Sequence, residues 1–324
     1  MYQIVSDGSC DLDQSLMNQF HIHVVPFYIT TDNEHYQKEK EDLEVHEFYQ
    51  FMVDHKDVFP KTSMPSIEDY IKTFTPILEN QEDIICICIT TKFSGSYNSA
   101  MNAKMMLEEK YPERQIMIID ATVNTVLQGL LVIEAAQMKE AGYQYDEVIQ
   151  KIENIKSSGR IFFTVGNFEY LIHGGRIGKV AGVAAKTLGI RPLIVLHDGE
   201  IFARGVTRGR EKSKKKVLDH TVKYFKDNQL SPNDYRFCVG YGYDQQEGEK
   251  FKESLQEVML QAYPDFHEPI LIQQIGATIG VHTGPYPIGV GILKNMIFRR
   301  NPKDFLLLKI PRVICVVKEL SLER

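Results

Sequence analysis

The sequence predicts an α/β protein in two parts: an N-terminal half on a mostly parallel sheet with flanking helices, and a smaller C-terminal α+β part. Three observations lead there. Apolar, strand-length runs alternate with helical patterns through the first half, as in a parallel sheet covered on both faces. The second half mixes a hairpin signal with helices. The chain has 324 residues, 43% hydrophobic and 25% charged, enough for two domains of ordinary composition. The boundary is expected in "IKSSGR", Ile155 to Arg160, dividing the chain into domains 1–157 and 158–293 and an extension over 294–324.

Each element has its own warrant. "YQIVSD" opens as a strand, and Asp11 or Asp13 is placed to cap the helix through "LMNQF". "HIHVVPFYIT" reads as a second strand, and "EVHEFYQFMVDH" has helical apolar spacing. In "KTSMPSIEDYIKTF", Ser66 and Asp69 form a capping pattern. Ile84 to Thr90 is a buried strand, "RQIMIIDA" another, and Val126 to Ala141 a helix stopped by Gly142. Further on, "RIFFTV" is a strand, "FEYLIHGG" a short helix and "GKVAGVAAKTLG" a small-residue helix. "RPLIVLHDGEIFARGV" reads as a hairpin turning at Asp-Gly. A basic helix from about Arg210 to Phe225, strand "YRFCVGYG", helix Glu247 to Tyr263 and strand "EPILIQQIG" complete the series.

Bulk properties exclude several classes. A net charge of −6 argues against nucleic acid as the main partner. No apolar run reaches the ~18 residues of a membrane span. The first residues read as strand and turn rather than as a secretory leader, so the expected location is cytoplasmic. The cysteines, 5 in all, are odd in number and scattered, which is no disulfide framework. Cys86 and Cys88 share one strand face and read as core, and no metal site is expected. Lys212, Lys214, Lys215 and Lys216 make a solvated face, or a docking surface for an acidic partner or a membrane.

Three stretches are able to carry chemistry. In "TTKFSGSYNS" a buried strand opens onto hydroxyls and a glycine, and then a helix begins. Ligands bind at the carboxyl ends of strands in open α/β sheets, and a helix start offers free N–H groups. Ser94, Ser96 and Gly95 therefore suit a carboxylate or phosphate, although serine there is also an ordinary cap. "KTSMPS" offers Thr62, Ser63 and Ser66 in a similar setting, again with capping as the plain alternative. "IGATIGVHTGPYPIGVGIL" places His282 and Thr283 among glycines and prolines, which suggests tight turns against a ligand or the neighbouring domain. Ser94 and His282 raise the possibility of a nucleophile and base. The leading glycine of the G-x-S-x-G elbow is missing, however, and no acid near His282 in sequence is evident to orient it. A hydroxyl without an activated base remains a good donor to a carboxylate. "HGGRIGKVAG" matches neither the dinucleotide fingerprint nor a P-loop.

Taken together and in this order, "SDGSCDL", "KTSMPS", "ITTKFSGSYNSA", "FEYLIHGGRIGK" and "IGATIGVHTGP" resemble the DegV family, from the N-terminus to about Leu293. The resemblance implies a two-domain lipid binder with the ligand between the domains. Some members serve as the fatty-acid-binding subunit (FakB) of bacterial fatty acid kinase. It further implies a bound long-chain fatty acid, no other cofactor and no catalytic residue. The carboxylate would be held by Thr62, Ser94 and His282, with Ser63 and Gly95 beside them, and presented to the catalytic kinase subunit for phosphorylation. Arg176 and Arg208 would face that kinase. Phe27, Phe93, Phe163 and Ile279 are the expected wall residues. The alternative reading is a lipid hydrolase or acyltransferase using Ser94 and His282. The chain departs from the family pattern at Gly8, Ala121 and Tyr286, and a tyrosine so near His282 is expected to reshape the site.

Overall fold

The computed structural model describes residues 1–180 and 189–296. Its first sheet is four-stranded and wholly parallel: β2 (His23–Val25), β1 (Tyr2–Asp7), β6 (Asp83–Cys88) and β7 (Ile116–Asp120), in that spatial order. The second sheet has six strands in the order β10 (Glu200–Thr207), β9 (Arg191–His197), β8 (Arg160–Thr164), β13 (Ile288–Lys294), β11 (Tyr235–Tyr241) and β12 (Ile270–Gln274). Only β11 and β12 pair in parallel there. A small antiparallel sheet joins β4 (Gln37–Lys38), β3 (Tyr28–Thr30) and β5 (Lys61–Ser63).

"HIHVVPFYIT" is thus two strands rather than one. Pro26 separates β2 in the first sheet from β3 in the small one, because proline cannot donate within a ladder. The hairpin expected at Asp-Gly is present, with both Asp198 (φ 51°) and Gly199 (φ 81°) left-handed, as a tight two-residue turn requires. In the small-residue stretch a short 3-10 turn covers Gly178–Val180; residues 181–188, most of the 294–324 extension and Cys315 lie outside the described residues.

The layers follow from where each helix is apolar. Helices α3 (Ile67–Glu79) and α4 (Ser96–Lys110) cover the outer face of the parallel sheet, packing Tyr70, Phe74 and Ala103 on Ile84 and Cys86. Helices α8 (Arg210–Asp227) and α9 (Gln245–Ala262) cover the outer face of the six-stranded sheet through Phe225 and Phe251. Between the sheets lies α5 (Thr125–Glu140), with α1 (Gln14–Phe20) and α6 (Tyr145–Lys156) beside it. Apolar residues run around all sides of α5, the pattern of a helix buried on every face. Its two fully buried long polar side chains are compensated: Glu134 pairs with Arg236, and Gln128 bonds Ser6, Asp7 and Ser9. Asp13, not Asp11, caps α1 by accepting the Leu16 N–H at 2.8 Å. Ser66 and Asp69 form the expected capping box at α3.

The glycine-rich segment near His282 is not a run of turns. It is a short helix, α10 (Ala277–Thr283), followed by β13 in the middle of the six-stranded sheet. Helix α10 packs against α2 (Val45–Asp54), β3 and β5 on one side and α7 (Glu169–His173) on another. It therefore joins the N-terminal elements to the C-terminal ones.

Candidate functional site: an apolar cavity with a polar mouth

A cavity of about 180 Å³ opens where the carboxyl ends of the parallel strands face the six-stranded sheet. One water needs roughly 10–15 Å³, so this space suits a larger guest. Phe27, Ile89, Phe93 and the first turn of α5 form one wall. Ile161, Phe163, Leu196 and Ile201 form the opposite wall, and Ile275 to Thr283 run along its length. All four expected wall residues, Phe27, Phe93, Phe163 and Ile279, face it.

One group of polar residues gathers at the open end, where Met64 is 46% exposed, while Asn124, Thr125 and Thr278 line the wall elsewhere. Thr62, Ser94, Gly95, Arg176 and His282 all line the cavity there. Thr62 Oγ1 lies 3.2 Å from His282 Nε2, although 220 residues separate them. Ser63 is not among the lining residues: successive strand residues face opposite sides, so β5 turns Thr62 inward and leaves Ser63 exposed. Burial, and secondarily the Arg176 charge, push the His282 pKa down to about 4. The ring is then neutral near pH 7, and its buried Nδ1 has no hydrogen-bond partner among the described residues.

The Ser94 turn is held from behind. Thr90 donates its N–H to Val123 O at 3.0 Å and accepts from Phe93 N at 3.0 Å. Ser94 Oγ accepts the Ser96 N–H at 3.2 Å. Ser96 itself turns inward and donates to Asp7 Oδ2 at 2.8 Å, and Asp7 also accepts from Ser9, Gln128 and the Ile89 N–H. Asp7 is fully buried; desolvation raises its pKa, and these four donors oppose that rise.

Arg176 is exposed, as a docking residue would be, but its guanidinium is already engaged. Nε and Nη2 donate to Phe93 O at 3.3 and 3.1 Å, and Nη1 to Gly174 O at 2.7 Å. It thereby clamps the Ser94 turn to the glycines after α7. Arg208 is exposed and does not line the cavity. Tyr286 also lies outside the wall, 39% exposed, with its ring edge-on to Tyr243.

Two buried carboxyls support the site, and sequence reasoning missed their role. Glu39 accepts the N–H of Ala277 at 2.6 Å and of Thr278 at 3.3 Å, together with the Thr278 hydroxyl. It caps α10, the helix that carries His282. Asp11 accepts the Thr125 hydroxyl at 2.5 Å, and the Gly276 backbone N–H also favours its charged form. A side chain at Gly276 would run into Glu39 and lie 2.5 Å from Asp11 Oδ1, so the two acids share one small space. Burial first, and the Glu39 charge second, push Asp11 up to about 7. Burial raises Glu39 as well, with Lys40 opposing.

Ser94 and His282 do not form a nucleophile–base pair with an orienting acid. Among the described residues, the hydrogen bond of His282 is with Thr62 and no carboxylate meets its Nδ1. What the arrangement can do is hold an anionic head at the mouth of a greasy cavity.

The DegV family model, described as that of an uncharacterised protein family, matches residues 1–295. This chain is a member of the DegV family. A DegV domain-containing protein of Clostridium acetobutylicum is 31% identical over 301 residues, 91% of this chain and 99% of the relative. The crystal structure of a stearic acid-binding protein from Eubacterium ventriosum is similar at 41% identity and a TM-score of 0.86, covering 91% of this chain and 99% of that one. A fatty-acid-binding DegV protein from Thermus thermophilus has a TM-score of 0.78 at 26% identity, with 90% and 99% covered. As in these DegV structures, the fold is α/β with one parallel and one mixed sheet.

Proposed function

We propose that this DegV protein binds a long-chain fatty acid and carries it, without chemistry of its own, for a partner kinase to phosphorylate the carboxylate. The observation that carries the reading is the cavity: walls that are mostly apolar, with Thr62, Ser94, Arg176 and His282 together at its open end. Burying an acyl chain is favourable by ~0.8 kcal/mol per methylene, so the mouth has only to satisfy one charge and fix its orientation. Ser94 donates its hydroxyl to the carboxylate. Neutral His282 donates from Nε2 to Thr62, which leaves the Thr62 hydroxyl proton free for the same carboxylate. The backbone at Gly95 adds a helix start with unsatisfied N–H groups. Arg176 and Arg208 are assigned to the face the kinase approaches, where charge complementarity sets association rate and orientation.

Two relatives named as binders of stearic acid and of fatty acid support the ligand class. Mass spectrometry of lipid extracted from freshly purified protein tests it. Long-chain fatty acid in near-stoichiometric amount is expected, and its absence, with no uptake of added acid, sinks the reading. An ester-cleavage assay should show no turnover that depends on Ser94. Acyl phosphate formed on addition of a fatty acid kinase catalytic subunit and ATP checks the partner.

A further inference from the structure

We infer that Gly240 sets how long an acyl chain the cavity accepts, because its missing β-carbon keeps Val126 and Ile275 from filling the space the chain needs. The inference rests on the fatty-acid reading above.

The cavity has a direction. Met64 and Arg176 reach solvent at the open end, whereas Val126 and Ile275 are buried wall residues, 3% and 6% exposed. Helix α10 begins two residues after Ile275 and carries His282. A chain anchored by its carboxylate at His282 and running along α10 therefore passes Ile275, Val126 and the strand behind them, and a longer chain needs more of the volume they leave.

That strand is β11, where Gly240 lines the cavity directly opposite Gly289 of β13. A β-carbon at Gly240 would lie 3.1 Å from Val126 Cγ1 and 3.2 Å from Ile275 Cγ1. Both are closer than ordinary contact, and both belong to side chains able to give way. Both are also cavity walls, so the space they move into is the cavity itself. Gly289 differs. A β-carbon there would lie 2.5 Å from Phe163 Cβ and 2.6 Å from the Phe162 carbonyl oxygen, fixed atoms of the neighbouring strand. Gly289 is a packing requirement of the sheet, and Gly240 is a spacing device for the cavity.

The test uses delipidated full-length protein and displacement of a fluorescent fatty-acid probe by laurate, myristate, palmitate and stearate. Gly240→Ala is expected to bind laurate and myristate as wild type does and stearate about tenfold more weakly. Tenfold is about 1.4 kcal/mol, less than two methylenes' worth of burial at ~0.8 kcal/mol each. Adding Val126→Ala to Gly240→Ala restores room and should recover stearate binding. Equal loss at every chain length, no loss at all, or a double variant that stays weak for stearate overturns the inference. If Gly240→Ala does not fold, Val126→Leu adds volume from the facing wall and is read in the same way. A wild type that binds none of the four acids removes the fatty-acid reading itself, and this inference with it. A wild type that binds stearate beside an unchanged Gly240→Ala profile overturns the length gate alone.

Discussion

At Ser94 the hydroxyl has an N–H donor behind it and a cavity in front, and among the described residues no base is hydrogen-bonded to it. Ser94→Ala and Thr62→Val should each weaken fatty-acid binding by about 1–3 kcal/mol, the range for a hydrogen bond to a charged group, with little change in thermal stability. Titration calorimetry on delipidated protein measures the first and a melting curve the second. His282 makes a pH prediction. Its folded pKa, about 4, lies below the ordinary histidine value near 6.5. The unfolded chain therefore takes up the proton first, and stability falls as pH drops from about 6.5 toward about 4. Urea unfolding of wild type and His282→Gln near neutral pH and near pH 5 checks this. The wild type should lose more stability than the variant, and parallel curves would mean the ring is hydrated.

The element that matters most is α10, held at one end by Glu39 and carrying His282 at the other. The buried acid pair beneath it is most stable when it retains a proton. Asp11 has a folded pKa raised above the unfolded value, so its contribution is complete below about pH 4 and is lost as pH rises through about 7. Asp11→Asn removes one ionisation while keeping an acceptor for Thr125. It should raise the melting temperature more near pH 8 than near pH 5, by about 2–4 °C for each kcal/mol relieved. A variant less stable than wild type at both pH values would show that the carboxylate is needed charged. The turn after β6 is the second such element, clamped by Arg176. Arg176→Ala should weaken ligand binding, and Arg176→Lys should not restore it, since an ammonium cannot reproduce a planar fork across two carbonyls. Arg208→Ala should leave binding unchanged and lower only acyl phosphate formation with the kinase. Intact ligand binding in Arg176→Ala would return that residue to a pure docking role.

For the whole molecule, the cavity lies where two sheets and α10 meet, so an apolar guest stands in for core that the chain does not supply. Ligand binding to the folded state alone stabilises by about 2.7 kcal/mol at a hundredfold excess over Kd. Delipidation should lower the melting temperature by several degrees, and added stearate should restore it. Scanning calorimetry with and without added acid measures the shift, and identical melts would mean the guest contributes nothing to the core.

The sequence by itself determined the order of nearly every element, because strand alternation, caps and the Asp-Gly turn are local properties. It marked the turn that carries Ser94 and Gly95 for the same reason: a strand that opens into hydroxyls before a helix announces itself over ten residues. Resemblance to a family added Thr62 and His282, which no local pattern joins. What only the tertiary structure decided were contacts across long stretches of chain. Glu39 reaches Ala277 and Thr278, and Asp11 reaches Thr125, from the far side of the fold. Pro26 divides one apolar run between two sheets, and the glycines around His282 become a helix and a central strand because Glu39 caps the one and β8 and β11 flank the other. Periodicity reports which face of an element is apolar; which partner covers that face, and where two faces fail to close and leave a cavity, is settled only when the layers stack.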